Sequence, residues 1–148
     1  MVYKHLFRVK APLASVARFH ADSSSMGSIT PPPVIVRVHD APALLDEGAR
    51  MDFTLWLLLL PLHWVARIQD VSPRGFTDIQ LSGPFESWRH RHEFFPQNEY
   101  WTEVHDTVQA TLSRNPVKWL IGLCMWISLP VLFAFRGWKT RRILEAQP

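Results

Sequence analysis

A chain of 148 residues, 47% of them hydrophobic, has room for one domain with its own core. Sixteen Lys and Arg against thirteen Asp and Glu leave a net charge of +3, and the basic residues cluster only near the C-terminus, so nucleic acid is not an expected partner. The one cysteine, Cys124, excludes an intrachain disulfide, and its apolar neighbours predict a buried, inert thiol.

Seven Trp and nine Phe are many for this length, enough to line a cavity as well as fill a core. The opening residues, MVYKHLFRVK, contain no apolar signal-peptide core, so a cytoplasmic location is expected.

Val2 to Val9 alternates and predicts a first strand. Ala11-Pro12 stops it, and Leu13, Val16 and Phe19 then recur at helical spacing. A second short helical turn follows, capped by Asp22 or Ser23, running through Met26 and ended by Gly27. Pro31 to Pro33 form a stiff connector. Six strands are expected next: 34–39, 50–60, 62–71, 76–82, 83–94 and 100–112, with turns at Pro61, at Ser72 to Gly75 and at Pro96 to Asn98. Asn115-Pro116 opens a C-terminal helix, expected to break near Pro130 and to end in a basic turn over Arg136 to Arg142.

Short connections imply an antiparallel sheet. Its apolar face needs a cover, and only the C-terminal helix is large enough. The expected class is therefore α+β: one domain over residues 1–148, a curved seven-stranded antiparallel sheet around a long helix, and a cavity between them.

The sixth strand carries the densest chemistry. Trp88, His90, His92 and Phe94 share one face; Ser87, Arg89, Arg91 and Glu93 share the other. Rings and imidazoles on one face suit a pocket, and charges on the other suit water. His90 and His92 lie about 7 Å apart along the strand. With Asp106 on the next strand they could converge as metal ligands or as a proton-transfer group. The competing reading is two rings packed in the pocket wall, each satisfied by a hydrogen bond. A lone His-x-His is weakly specific, so no metal and no cofactor is expected. Trp64, Ala66 and Ile68 share a face of the fourth strand and read as cavity lining. Arg89 and Arg91 are expected in solvent, paired with acidic neighbours such as Glu103.

Residues 119–135 contain no charge and reach the lower length limit for a spanning helix. Trp119 and Trp138 flank them, and Arg136, Lys139, Arg141 and Arg142 follow, as in an interfacial aromatic belt with a basic edge. Two readings compete: a helix gripped by the sheet, and membrane contact or anchoring through Trp119, Trp126 and Phe135. Pro130, the central Trp126 and the lack of another such segment favour the gripped helix.

Several motifs in order resemble the SRPBCC superfamily, which includes START domains, pollen-allergen-like proteins and polyketide cyclase/dehydrase-like proteins. Val9-Lys10-Ala11-Pro12 with Val16, Phe19, His20 and Asp22 resembles the first strand and helix of its bacterial members. Thr30 to Pro33 is similar to their connector, and Pro61 to Ile68 and Gly83 to Phe94 are similar to two further signatures. Asp106 stands where members carry an acidic residue. The C-terminal helix departs from the family pattern in being apolar all round.

The resemblance implies a helix-grip fold and an internal pocket for lipids, polyketides or other apolar compounds. It implies a ligand-binding set of Trp64, Gln80, Trp88, His90, His92 and Asp106, with Gln80 facing inward; hydrophobicity alone would instead turn Ile79 and Leu81 inward. The alternatives are an enzyme of the cyclase/dehydratase type, with His90 or His92 as catalytic proton shuttle, and a protein held at a membrane through residues 119–135. The oligomeric state and the identity of the ligand stay open.

Overall fold

A computed structural model describes residues 1–147. Seven strands and three helices follow in the order β1 (Val2–Val9), α1 (Leu13–Ala21), α2 (Ser25–Ser28), β2 (Val34–Asp40), β3 (Arg50–Leu57), β4 (Leu60–Ser72), β5 (Gly75–Ser82), β6 (Phe85–Pro96), β7 (Thr102–Leu112) and α3 (Pro116–Leu144). The strands form one antiparallel sheet in the order β1-β7-β6-β5-β4-β3-β2. Sequential hairpins account for five of the neighbours; β1 joins last, edge-on to β7, with Val9 opposite Thr102.

Alternation along the strands decides what is buried. Met51 and Phe53 of β3, Trp64, Ala66 and Ile68 of β4, and Trp88, His90 and Phe94 of β6 all turn into the concave face. Val104 and Val108 of β7 join them, with no exposure at all. Helix α3 lies across that face and seals it with Leu129 and Phe133. Its approach to β1 is close: a Cβ on Gly137 would stand 3.2 Å from the Phe7 ring.

The cap of α3 follows the sequence. Asn115 Oδ1 accepts from the backbone N–H groups of Val117 and Lys118, both at 3.1 Å, and Pro116 fills the first helical position. The expected break at Pro130 does not occur; the helix runs unbroken through it. A mid-helix proline forfeits one backbone hydrogen bond and costs about 3 kcal/mol. Here its ring points to solvent, and the neighbouring Leu129 and Phe133, 2% and 1% exposed, hold the turns on either side against the sheet.

The sequence reading differs at three other points. Strand β3 ends at Leu57, the turn is Leu58-Leu59, and Pro61 lies inside β4 opposite Trp56. Proline is tolerated there because β5 pairs with β4 only from Val65 onward, so on that side no ladder bond is lost. Cys124 is exposed, not buried, because it sits on the outer face of α3. Arg89 pairs with Asp70 and Arg91 with Glu93, while Glu103 is taken by Arg8 and His105. Position along β7 decides that: Glu103 faces Arg8 across the β1–β7 pair.

Gly75 opens β5 at φ +143°, and a Cβ there would meet the His92 carbonyl oxygen at 1.9 Å. Gly75→Ala is therefore expected to destabilise the fold by roughly 3 kcal/mol or more, read as a drop in the denaturation midpoint at unchanged m-value. A variant as stable as the parent would mean that the β5–β6 contact is misplaced.

Candidate functional site

The concave face and α3 enclose a cavity with about 170 Å³ of space open to the centre of a water molecule. At one end it is lined by Phe53, Trp64 and Trp88 from the sheet and by Met125 and Leu129 from α3. Trp64 meets Trp88 edge-on, ring centroids 5.4 Å apart, and lies nearly parallel to Phe53 at 6.2 Å. This end is apolar. The polar end is built by Asp78, His90, His92, His20 and Arg136.

Strand register assembles the polar end. In β5 against β6, Asp78 stands opposite His90. In β6 against β7, Asp106 stands opposite His92. The two imidazoles are two residues apart on one face, so each carboxylate reaches both. Asp106 Oδ1 accepts from His90 Nε2 at 3.0 Å and lies 2.9 Å from His92 Nδ1, a contact too poorly directed to count as a hydrogen bond. Asp78 Oδ2 lies 3.2 Å from His90 Nδ1 and 3.4 Å from His92 Nε2. Two acids and two imidazoles thus form a closed ring, with the imidazole centroids 3.9 Å apart.

Burial and charge compete in this ring. Burial alone would lower His90, but Asp78 and Asp106 on either side outweigh it and raise the group to about 9. Burial alone would raise both carboxyl groups, yet the neighbouring imidazoles hold them well below the usual carboxylate range. His90 is therefore an imidazolium at neutral pH between two carboxylates. His20, on α1, goes the other way: burial, then the nearby His92, lowers it to about 4. Its Nδ1 lies 2.9 Å from the Val16 carbonyl, which can only accept, so Nδ1 carries the proton and Nε2 the lone pair.

Asp78, His90 and His92 each bring one ligand atom within 4.8 Å of the others, a donor set that would suit a divalent cation. A cation there would have to displace the proton that His90 otherwise holds between the two carboxylates.

The residues singled out from sequence fall in three places. Trp64, Trp88, His90 and His92 line the cavity. Asp106, 5% exposed, lies behind the imidazoles and touches them rather than the cavity. Gln80 does not line the cavity. Its Nε2 donates to the Phe85 carbonyl at 2.8 Å and its Oε1 accepts from the Phe85 N–H at 3.3 Å, clamping the turn between β5 and β6. The turn claims the side chain because β5 is bulged against β4 just there, between the pairs Val65–Ser82 and Ala66–Gln80.

Sequence reasoning missed Asp78 and Arg136. Asp78 shares a strand face with Gln80, and the unsettled parity of β5 hid it. Arg136 was read as the edge of a basic turn; its signal was being the first charge after seventeen uncharged residues.

Stability should follow the two histidines in opposite directions. His20 is lowered when folded, so its contribution is complete above pH 6.5 and is lost as pH falls toward 4. His90 is raised when folded, so its contribution is complete below pH 6.5 and is lost as pH rises through 9. Denaturant unfolding across pH should show a maximum near 6.5, each limb falling by on the order of 3 kcal/mol. His20→Gln should flatten the limb between pH 6.5 and 4 only, leaving the alkaline limb and the further loss below 4 as Asp78 and Asp106 protonate. A monotonic profile would rule out the opposed pair.

No family model matches the sequence, and no curated protein matches it. Solved structures do. The Zhui aromatase/cyclase from a Streptomyces species superposes with a TM-score of 0.70 at 18% identity, over 99% of this chain and 98% of that one. A START superfamily protein from Mycobacterium smegmatis gives 0.69 at 9% identity, over 99% of both chains. Norcoclaurine synthase from Thalictrum flavum, solved with dopamine and hydroxybenzaldehyde, gives 0.70 at 11% identity, over 100% of this chain and 88% of that one. The seven-stranded sheet, the two short helices after its first strand and the long C-terminal helix make this the helix-grip fold, which the chain shares with these solved structures.

Proposed function

We propose that the protein binds a hydrophobic small molecule or lipid in the cavity between sheet and α3. The single observation that carries this is the cavity itself: aromatic walls at one end, a buried polar cluster at the other. Burying apolar ligand surface supplies about 25 cal/mol per Å² before the costs of binding. Similarity of fold to an aromatase/cyclase and to a START superfamily protein supports a ligand pocket at this place.

A cyclase/dehydratase reaction with His90 or His92 as proton shuttle is the other reading of the cavity. Held protonated up to about 9, His90 is suited to donate a proton and poorly poised as a general base.

Ser128 lines the cavity yet is exposed, so it stands at the mouth. N-phenyl-1-naphthylamine, an uncharged fluorescent probe, should bind saturably to the purified protein. Ser128→Trp should weaken that binding by roughly tenfold with little change in melting temperature, since the substitution crowds the mouth and not the core. Absence of saturable probe binding to the parent protein would sink the carrier reading.

Membrane contact is a second reading with its own observation. Helix α3 is long and apolar enough to cross a membrane by length and composition, and only 17% of its most apolar stretch is buried. Val117, Leu120, Ile127, Val131 and Trp138 recur at intervals of three, four or seven residues on its outer face, each between 45% and 70% exposed. The β3–β4 tip adds Leu58 and Leu59, 72% and 93% exposed, with Leu58 at a left-handed φ of 57° that glycine would hold at less cost. Of the residues expected at a membrane, Trp119 lies on the exposed surface, Phe135 is half-buried against Trp138, and Trp126 packs on the core. Co-sedimentation with anionic vesicles should drop several-fold in Ile127→Ser/Val131→Ser, and Leu58→Gly/Leu59→Ser should reduce it without loss of stability. Vesicle binding indifferent to all four changes would exclude both surfaces.

A further inference from the structure

Arg136 is the charge that the fold leaves unanswered. It projects from the inner side of α3 into the polar end of the cavity. Its Nε is fully enclosed and has no hydrogen-bond partner, and among the described residues no carboxylate comes within ion-pairing distance of the guanidinium. Its one close charge-related contact is the Phe133 ring, 5.5 Å from Cζ to centroid. Burial lowers the group, and Asp106 and Asp78 oppose that from a distance, but an arginine stays protonated in a protein. The two acids are already engaged, each lying against both His90 and His92.

A guanidinium has five donors in a rigid fork matched to a carboxylate. Enclosing its Nε without an acceptor leaves one of those donors unsatisfied beside the cavity. A ligand oxygen that entered the cavity would restore those hydrogen bonds. The neighbouring Asp78 and Asp106 would repel a dianion such as a phosphate monoester and tolerate a single negative charge. The volume sets the size: 170 Å³ of water-centre space corresponds to roughly a dozen waters, and so to a ligand body of about that many carbon atoms.

We propose that Arg136 receives the carboxylate of an amphipathic monoacid whose apolar body fills the cavity between Trp64, Trp88 and Leu129. The inference rests on the ligand-binding reading of the cavity and adds the class of headgroup.

The test is displacement of N-phenyl-1-naphthylamine from the intact protein by three chain-matched probes: dodecanoate, dodecanol and dodecylamine. Dodecanoate should bind roughly tenfold or more tightly than dodecanol, with dodecylamine weakest. In Arg136→Gln the preference for the acid over the alcohol should vanish, both affinities being read by displacement of the probe from that same variant. Arg136→Lys, which keeps the charge and loses the fork, should retain part of the preference. Equal affinities for acid and alcohol in the parent protein overturn the proposal, as does a preference that survives Arg136→Gln. If Arg136→Gln does not fold, the ranking in the parent protein and the partial loss in Arg136→Lys decide. If the fluorescent probe itself does not bind, the cavity reading fails and the headgroup with it. Probe binding with indifference to the acid fails the headgroup alone.

Discussion

Two carboxylates and two imidazoles locked together under a helix constrain everything around them. Asp78, His90, His92 and Asp106 come from three adjacent strands, and they meet only if β5, β6 and β7 keep one register. A slip of one residue would turn the imidazoles outward and bury Arg89 and Arg91 instead. The ring acts as a register lock as well as a polar patch. Buried ion pairs are often close to neutral in net stability, because desolvation offsets attraction, while a single unpaired member costs several kcal/mol. The cluster therefore penalises wrong alignments more than it stabilises the right one.

The polar ring also gives the cavity its direction. An all-apolar pocket would accept a greasy molecule in any orientation. Here one end offers Trp64, Trp88 and Phe53, and the other offers protonated His90, neutral His20 and Arg136. Alternation of β6 puts Trp88 nearer the apolar end and His92 nearer the polar one, so a single strand runs the length of that gradient. Helix α3 spans both ends, Leu129 over the rings and Arg136 about two turns on.

Helix α3 carries two apolar stripes at the same three-and-four spacing. Gly122, Leu129, Phe133, Gly137, Thr140 and Leu144 face the sheet, and Val117, Leu120, Ile127, Val131 and Trp138 face out. The first stripe explains why the helix survives Pro130. The second is more than a soluble core requires, and it is what makes the sequence look like a spanning segment. The helix is gripped on one face and bare on the other, which is why residues 119–135 allowed two readings from sequence.

The sequence by itself determined the element order, the antiparallel hairpins, the cap at Asn115 and the inward face of β6, because these rest on local periodicity and turn chemistry. Those signals sit within a few residues of what they specify. Helix-grip architecture was legible too, since only one segment is long enough to cover the sheet. What the tertiary structure decided is everything that depends on which strand lies beside which. Asp78 joined the site through its register opposite His90, and no local signal settled the parity of β5. Gln80 left the site because a backbone turn five residues on claimed its amide. Cys124 became exposed because a helix apolar all round gives no hint of which stripe the sheet will take. Arg136 looked like a surface charge at the end of an apolar run. It became a cavity residue because three further residues from Phe133 along α3 is nearly one full turn, and Phe133 points inward.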